Sequence, residues 1–281
     1  MFISRELIGR VAWAWLLLTG CSRELPLERA VVTREQPPAS VTSPGGASSG
    51  VAQHATSRAS GVAVVELFTS EGCSSCPPAD RVLASLAARA KSQSLLVFPL
   101  SFHVDYWNYL GWRDSFSDAR YSERQRGYSA IGTGGGTYTP QVVVNGEDES
   151  VGSNASRIES LVEAALKRAP RSQIELEARR AEHGIEVSYR VTGETRGRVL
   201  NLALVEPRAE SQIESGENAG ERLAHVNIVR VFSSRPLSQG TVGQWSPPAG
   251  PAFEARQVSV VAFVEGASQR DISGAVALEL P

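Results

Sequence analysis

Residues 66–80, ELFTSEGCSSCPPAD, set two cysteines three positions apart at the end of an apolar, β-branched run. That run, GVAVVELFTS from Gly61, has the length of a buried strand. ADRVLASLAARAKS, which follows the cysteines, carries Val82, Leu83, Leu86 and Ala87 at helical spacing. Cys73 and Cys76 therefore stand at a strand-to-helix junction, where backbone N–H groups and the helix dipole favour the reactive thiolate. The spacing permits a small-ring disulfide that opens without unfolding its surroundings. Pro77 disfavours helical geometry at Cys76, which puts the start of the regular helix at Pro77 or Pro78. By itself the pair reads as a redox couple, half of a metal site, or an inert clip.

Outward from the cysteines the pattern alternates. SLLVFPLSFHVDYW is a second strand-like run, DSFSDARYSERQRGYSAIG is compatible with a helix, and PQVVVNGEDESVG is a third strand. The third strand turns at Asn145-Gly146, a pair suited to a two-residue hairpin. NASRIESLVEAALKRA closes the unit as a helix, with Asn154 as N-cap and Pro170 as stop. Past Pro170 the chain changes to short runs of period-two alternation, from QIELEARR to DISGAVALEL, separated by Gly, Pro and Asn. The fold class expected is an α/β domain over residues 61–170 followed by an all-β, sandwich-like domain over 171–281.

The chain has 281 residues, a net charge of −2 and 3 cysteines. Such a balance offers no electrostatic footprint for nucleic acid. Residues 1–20 read as a signal peptide, with Arg5 and Arg10 ahead of the short apolar stretch VAWAWLLLTG. LLTGC resembles the lipobox of bacterial lipoproteins, in which Cys21 becomes the lipidated first residue and anchors the chain to the membrane without a spanning helix. Ser22 then resembles the signature of outer-membrane retention. The localisation expected is the bacterial cell envelope, at the periplasmic face of the outer membrane, or secretion if Cys21 is incidental. Assigning Cys21 to lipid leaves Cys73 and Cys76 as a pair in a compartment where disulfides persist. Residues 21–60, rich in Ser, Pro and Gly, read as a flexible tether, with His54 a solvated bystander.

ELFTSEGCSSCPPAD, FHVDYWNYLGW, RQRGYS, YTPQVVVNG and GENAGERLAHVNIVR together resemble the secreted thioredoxin-like family still named as a domain of unknown function, over roughly residues 62–281. The resemblance implies a thioredoxin-like α/β domain followed by a β-rich domain. It brings no established substrate, activity or cofactor.

In the thioredoxin fold a cis-proline loop faces the CxxC and offers hydrogen bonds to a bound peptide. Thr139-Pro140 occupies the matching place. Glu66, in the strand leading to the cysteines, is a candidate base for Cys76, although period-two counting puts Leu67 nearer the required parity. As a structural residue Glu66 would pair with Arg81 or cap the backbone. His103, with Asp105 and Trp107 at the end of the second strand, is a candidate for proton transfer, or simply a packed, hydrogen-bonded histidine. Trp107, Tyr109 and Trp112 read as core or as the lining of a peptide groove. Arg120, Arg124 and Arg126 read as a solvated cationic face, and His225 with Glu221 as a surface site or loop cap.

The function these residues favour is a membrane-tethered thiol–disulfide oxidoreductase acting on a protein or peptide thiol or disulfide. Cys73 would be the nucleophile, Cys76 the resolving thiol, and Thr139 and Pro140 the positioning groups. Two alternatives stand beside it. One is a copper or other soft-metal binding protein using Cys73, Cys76 and His103. The other is a binding module in which the disulfide is structural.

Overall fold

Strand β2 (Ala63–Thr69) is buried along its whole length, as an unbroken apolar run requires when both faces are covered. One face, with Ala63, Val65 and Leu67, packs against Leu83, Leu86 and Ala90 of α1 (Pro77–Ser92) and Ile158, Leu161 and Val162 of α3 (Ala155–Leu166). The other, with Val64 and Phe68, packs against Tyr121 and Tyr128 of α2 (Ala119–Ala130). β2 runs parallel to β3 (Val97–His103) and antiparallel to β4 (Gln141–Val144), which turns into β5 (Asp148–Val151). Asn145 and Gly146 have φ of 49° and 71°, the positive values that the hairpin turn demands. The Asn145 side chain also accepts from Val64 N at 2.8 Å and donates to Val62 O at 2.9 Å, tying the turn to β2.

The computed structural model describes residues 51–280 apart from 59, 131, 133–135, 183 and 249–256. The signal peptide 1–20, the lipidation of Cys21 and the tether as far as residue 50 lie outside the described residues. Among the described residues no helix is long and apolar enough to cross a membrane. β1 (Gln53–Thr56) falls inside the expected tether yet pairs antiparallel with β6 (Ser172–Ala181), so order begins before Gly61.

The order of elements from β2 to α3 follows the sequence pattern, but the fold class does not. The remaining strands are β7 (Gly184–Gly193), β8 (Arg198–Gln212), β9 (Arg222–Pro236), β10 (Val242–Trp245), β11 (Val258–Gly266) and β12 (Gly274–Leu280). Ser101 of β3 pairs in parallel with Ile228 of β9, which merges the two halves into one eight-stranded sheet of order β12-β11-β8-β9-β3-β2-β4-β5. A thioredoxin-like α/β domain followed by a separate sandwich is therefore not what forms. The described residues hold twelve strands in two sheets against three α-helices, and they belong to one compact unit.

The physical reason is the core beside β3. Phe68, Phe102 and Tyr128 from the first half and Ala203, Val229 and Phe263 from the second bury one another in a single cluster. Local periodicity cannot report a pairing across so many residues. A second layer, the sheet β1-β6-β7-β10, packs Ile174, Leu176, Ile185, Val187 and Trp245 against Leu200, Leu202, Leu204, Val260 and Leu278. Sheet-on-sheet packing thus forms from the second half together with β1.

Arg124 is the polar counterpart of that shared core. It is buried and is not on a solvated face with Arg120. Its Nε donates to Glu66 Oε2 at 2.5 Å and its Nη2 to Glu265 Oε2 at 2.9 Å. The rings of Phe102, Tyr128, Phe232 and Phe263 surround the guanidinium, with centroids 4.8–5.8 Å from Cζ. One cation therefore joins β2, α2 and β11, and it balances two carboxylates that have left water.

Candidate functional site

Cys73 and Cys76 form a disulfide with Cα atoms 5.4 Å apart. Cys76 is the N-cap of α1 and adopts helical geometry, with Pro77 opening the helix. The proline thus sets the start expected for α1 without keeping Cys76 out of the helical region. Cys73 lies in the preceding turn, its N–H on Ser70 O and its carbonyl accepting from Cys76 N. Both cysteines are 0% exposed.

The two sulfurs differ in surroundings. Thr139 Oγ1 donates to Cys73 Sγ at 3.4 Å, and Ser75 Oγ lies 3.3 Å from the same sulfur. Trp107 Nε1 donates to Thr139 Oγ1 at 2.8 Å. An indole N–H can only donate, so the hydroxyl accepts from Trp107 and its own proton is free for the sulfur. The Thr139-Pro140 bond is cis, and Pro140 is buried. Thr139 is thus at Cys73, through its hydroxyl, with Pro140 next to it in the chain.

Glu66 is not. It shares parity with Val64 and Phe68 and faces α2, whereas the α1 side of β2 carries Val65 and Leu67. Its carboxylate is engaged by Arg124 and Tyr128, so neither the role of base for Cys76 nor the pairing with Arg81 is realised. Side-chain alternation across the strand is the cause.

His103 is buried at the end of β3, its Nδ1 2.7 Å from Asp114 Oδ2. It makes no hydrogen bond to either sulfur. Among the described residues no three metal-ligating side chains converge as a metal group, so Cys73, Cys76 and His103 do not form a ligand set.

His103 belongs to a different cluster, most of which sequence reasoning missed. His225, expected near the surface, is buried on β9, with its ring centroid 4.7 Å from that of His103. Its Nε2 lies 3.3 Å from Glu71 Oε1 and its Nδ1 3.7 Å from Asp80 Oδ2. Glu71 also accepts from Trp112 Nε1 at 2.8 Å, and its N–H donates to Asp114 Oδ2 at 2.9 Å. Three carboxylates and two imidazoles are thus enclosed beside the disulfide. Leu223 and His225 share the buried parity of β9, which was the available signal. Asp114 carried none. Trp107 and Trp112 are only half-buried, with Trp107 packed against the core beside β3, and Tyr109 is 81% exposed.

Burial opposes charge on His103, but the Asp114 carboxylate overrides it and raises the imidazole pKa. Burial likewise acts upward on Asp114, and is outweighed by His103 and by the backbone N–H groups of Glu71 and Phe116, so its pKa is lowered. Asp80 goes the other way: burial pushes its carboxyl up, and His225 and His103 offset only part of that. Because the folded state holds this proton more tightly than the unfolded chain, Asp80 lowers stability as pH rises from the ordinary carboxylate value through its raised one. Asp80→Asn keeps an acceptor for Thr69 Oγ1, now 3.1 Å from Asp80 Oδ1. We therefore expect urea unfolding to show the variant more stable than the parent at neutral pH, with the difference shrinking as pH falls through the raised value toward about 4 and gone below it. A gap that grows on acidification would show Asp80 to be held ionised.

Two solved structures resemble the chain. Protein AGR_C_4864 from Agrobacterium tumefaciens is 28% identical, with a TM-score of 0.57 over 78% of this chain and 94% of that one. HBP35 of Porphyromonas gingivalis is 14% identical, with a TM-score of 0.55 over 80% of this chain and 76% of that one, a likeness of fold alone. No curated protein matches. The model of the family described as a protein of unknown function, DUF1223, matches residues 64–265, and the chain belongs to that family.

Proposed function

We propose that the protein is a thiol–disulfide oxidoreductase of the bacterial cell envelope, tethered by lipid on Cys21, with Cys73 as nucleophile and Cys76 as resolving thiol. The observation that carries this reading is the asymmetry of the pair. Two hydroxyls, from Thr139 and Ser75, stand at Cys73 Sγ, and none stands at Cys76 among the described residues. Hydrogen bonds that strengthen toward an anion favour the thiolate at Cys73. Cys76, enclosed and without such donors, is suited to remain a thiol until it is needed.

In the reduced protein the Cys73 thiolate attacks one sulfur of a substrate disulfide, and the other substrate sulfur leaves as a thiolate. Cys76 then loses its proton and attacks Cys73 Sγ, releasing the second substrate thiol and restoring the disulfide. The reverse sequence oxidises a dithiol. The difference in potential between the pair and its partner sets the direction.

A second reading, a structural clip in a binding module, is favoured by one observation: both cysteines are fully covered. Acceleration of exchange between glutathione and a peptide disulfide separates the two. The oxidoreductase reading predicts acceleration that disappears in Cys73→Ser, and the clip predicts none from the parent protein.

A further inference from the structure

The loop at residues 213–221 ends the long β8–β9 arm and comes down on the disulfide turn. Asn218 is buried, and its Nδ2 donates to Glu71 O at 2.8 Å and to Cys73 O at 3.1 Å. Ser74 N donates to Glu217 Oε2 at 3.0 Å, and this bond holds the exposed Glu217 carboxyl below its ordinary range. Cys73 O and Ser74 N belong to one peptide unit and point to opposite sides of it. The arm therefore grips the peptide that follows Cys73 from both sides, with a donor on one and an acceptor on the other. Ser215 Oγ fixes the tip laterally by donating to Gly111 O at 2.6 Å. Gly216, at φ +81°, lets the tip pass Trp112, whose Cβ would lie 3.2 Å from any Cβ added there.

Nothing in the core explains this grip. The tip lies beyond the paired residues of the arm, which end at Gln212 and Arg222, and Glu217 and its neighbours Ser215 and Gly216 are exposed. Two of its polar groups, Asn218 Nδ2 and Glu217 Oε2, meet the peptide unit that follows Cys73.

We propose that Asn218 and Glu217 are positioning residues for the redox pair. They pin the Cys73–Ser74 peptide so that Cys73 Sγ stays against Thr139 and Ser75 and out of water, and a reactant reaches the disulfide only when the tip detaches. The inference rests on the oxidoreductase reading for its purpose, but the latch itself is measurable apart from it. It also reconciles a reactive pair with full burial: the covered sulfurs belong to the latched state.

The test is the rate at which dithiothreitol reduces the disulfide in the full chain, the reagent being oxidised to its cyclic disulfide as two thiols form. Asn218→Asp retains size but removes the amide donor. Losing the two bonds it makes is expected to raise the reduction rate about tenfold or more. Glu217→Gln keeps an acceptor for Ser74 N and is expected to stay within about twofold of the parent, whereas Glu217→Ala, at a fully exposed position that does not threaten folding, accelerates reduction several-fold. A purely structural role would not separate Gln from Ala at such a position. A parental rate in Asn218→Asp, or equal rates in Glu217→Gln and Glu217→Ala, would overturn the assignment. Failure of the parent to accelerate peptide exchange would sink the oxidoreductase reading and leave these rates to judge the latch on their own.

Discussion

Arg124→Met is expected to cost about 3–5 kcal/mol of stability, read as a fall in the urea midpoint or as failure to accumulate folded protein. Glu66 and Glu265 share this guanidinium inside a core of Phe102, Tyr128, Phe232 and Phe263. Methionine fills much of the volume, so the loss does not come from a cavity. It comes from two carboxylates left buried without a cation, and a buried charge stripped of its partner is far costlier than the pair was favourable. Arg120→Met, one turn earlier on α2, is the control. Its pairing with Asp118 is largely exposed, and exposed pairs contribute no more than about 1 kcal/mol. Equal effects from the two substitutions would show that Arg124 is not the element joining the halves.

The second large effect concerns the cysteines. Cys73→Ser is expected to abolish peptide disulfide exchange, while Cys76→Ser still attacks a peptide disulfide but cannot resolve it. Mass spectrometry of reduced Cys76→Ser mixed with that peptide should show one covalent adduct per chain, stable until a thiol is added. The hydroxyls of Thr139 and Ser75 decide which variant accumulates the adduct, because they stand at Cys73 and not at Cys76. Thr139→Val removes one of these donors and leaves Trp107 Nε1 without its acceptor, so adduct formation should slow and shift to higher pH. An adduct on Cys73→Ser and none on Cys76→Ser would invert the roles assigned.

Legibility in the sequence followed the range of the forces involved. The strand before Cys73, the helix from Pro77, the Asn145-Gly146 turn and the Asn154 cap rest on neighbouring residues and were readable. Thr139 was readable as well, through the loop that Pro140 anchors. The merged sheet was not, since Ser101 and Ile228 meet only through tertiary contact across more than a hundred residues. Arg124 had a local signal that went unused: Tyr121, Arg124, Gln125 and Tyr128 recur at the spacing of one helix face, and all are buried. Two tyrosines flanking an arginine at that spacing argue for burial more than for a solvated face. Glu66 was partly legible, because its parity already placed it on the wrong side of β2. Asp80 and His225 come from α1 and β9, and their meeting beside Glu71 depends on the arm's descent, which no local pattern encodes.

The arm also explains why the second half of the chain accompanies a CxxC turn. β9 completes the sheet beside β3, His225 enters the buried cluster, and the tip grips Cys73. One strand and its turn therefore connect the sheet, the titrating groups and the disulfide.

The most direct test of the central claim is the reduction potential of the Cys73–Cys76 pair, measured against glutathione redox buffers by counting free thiols at equilibrium. An oxidoreductase whose disulfide opens in each cycle predicts a value above about −300 mV, within reach of cellular dithiol partners. A value well below about −300 mV would mark a disulfide that stays closed, and would contradict the assignment of Cys73 as a nucleophile.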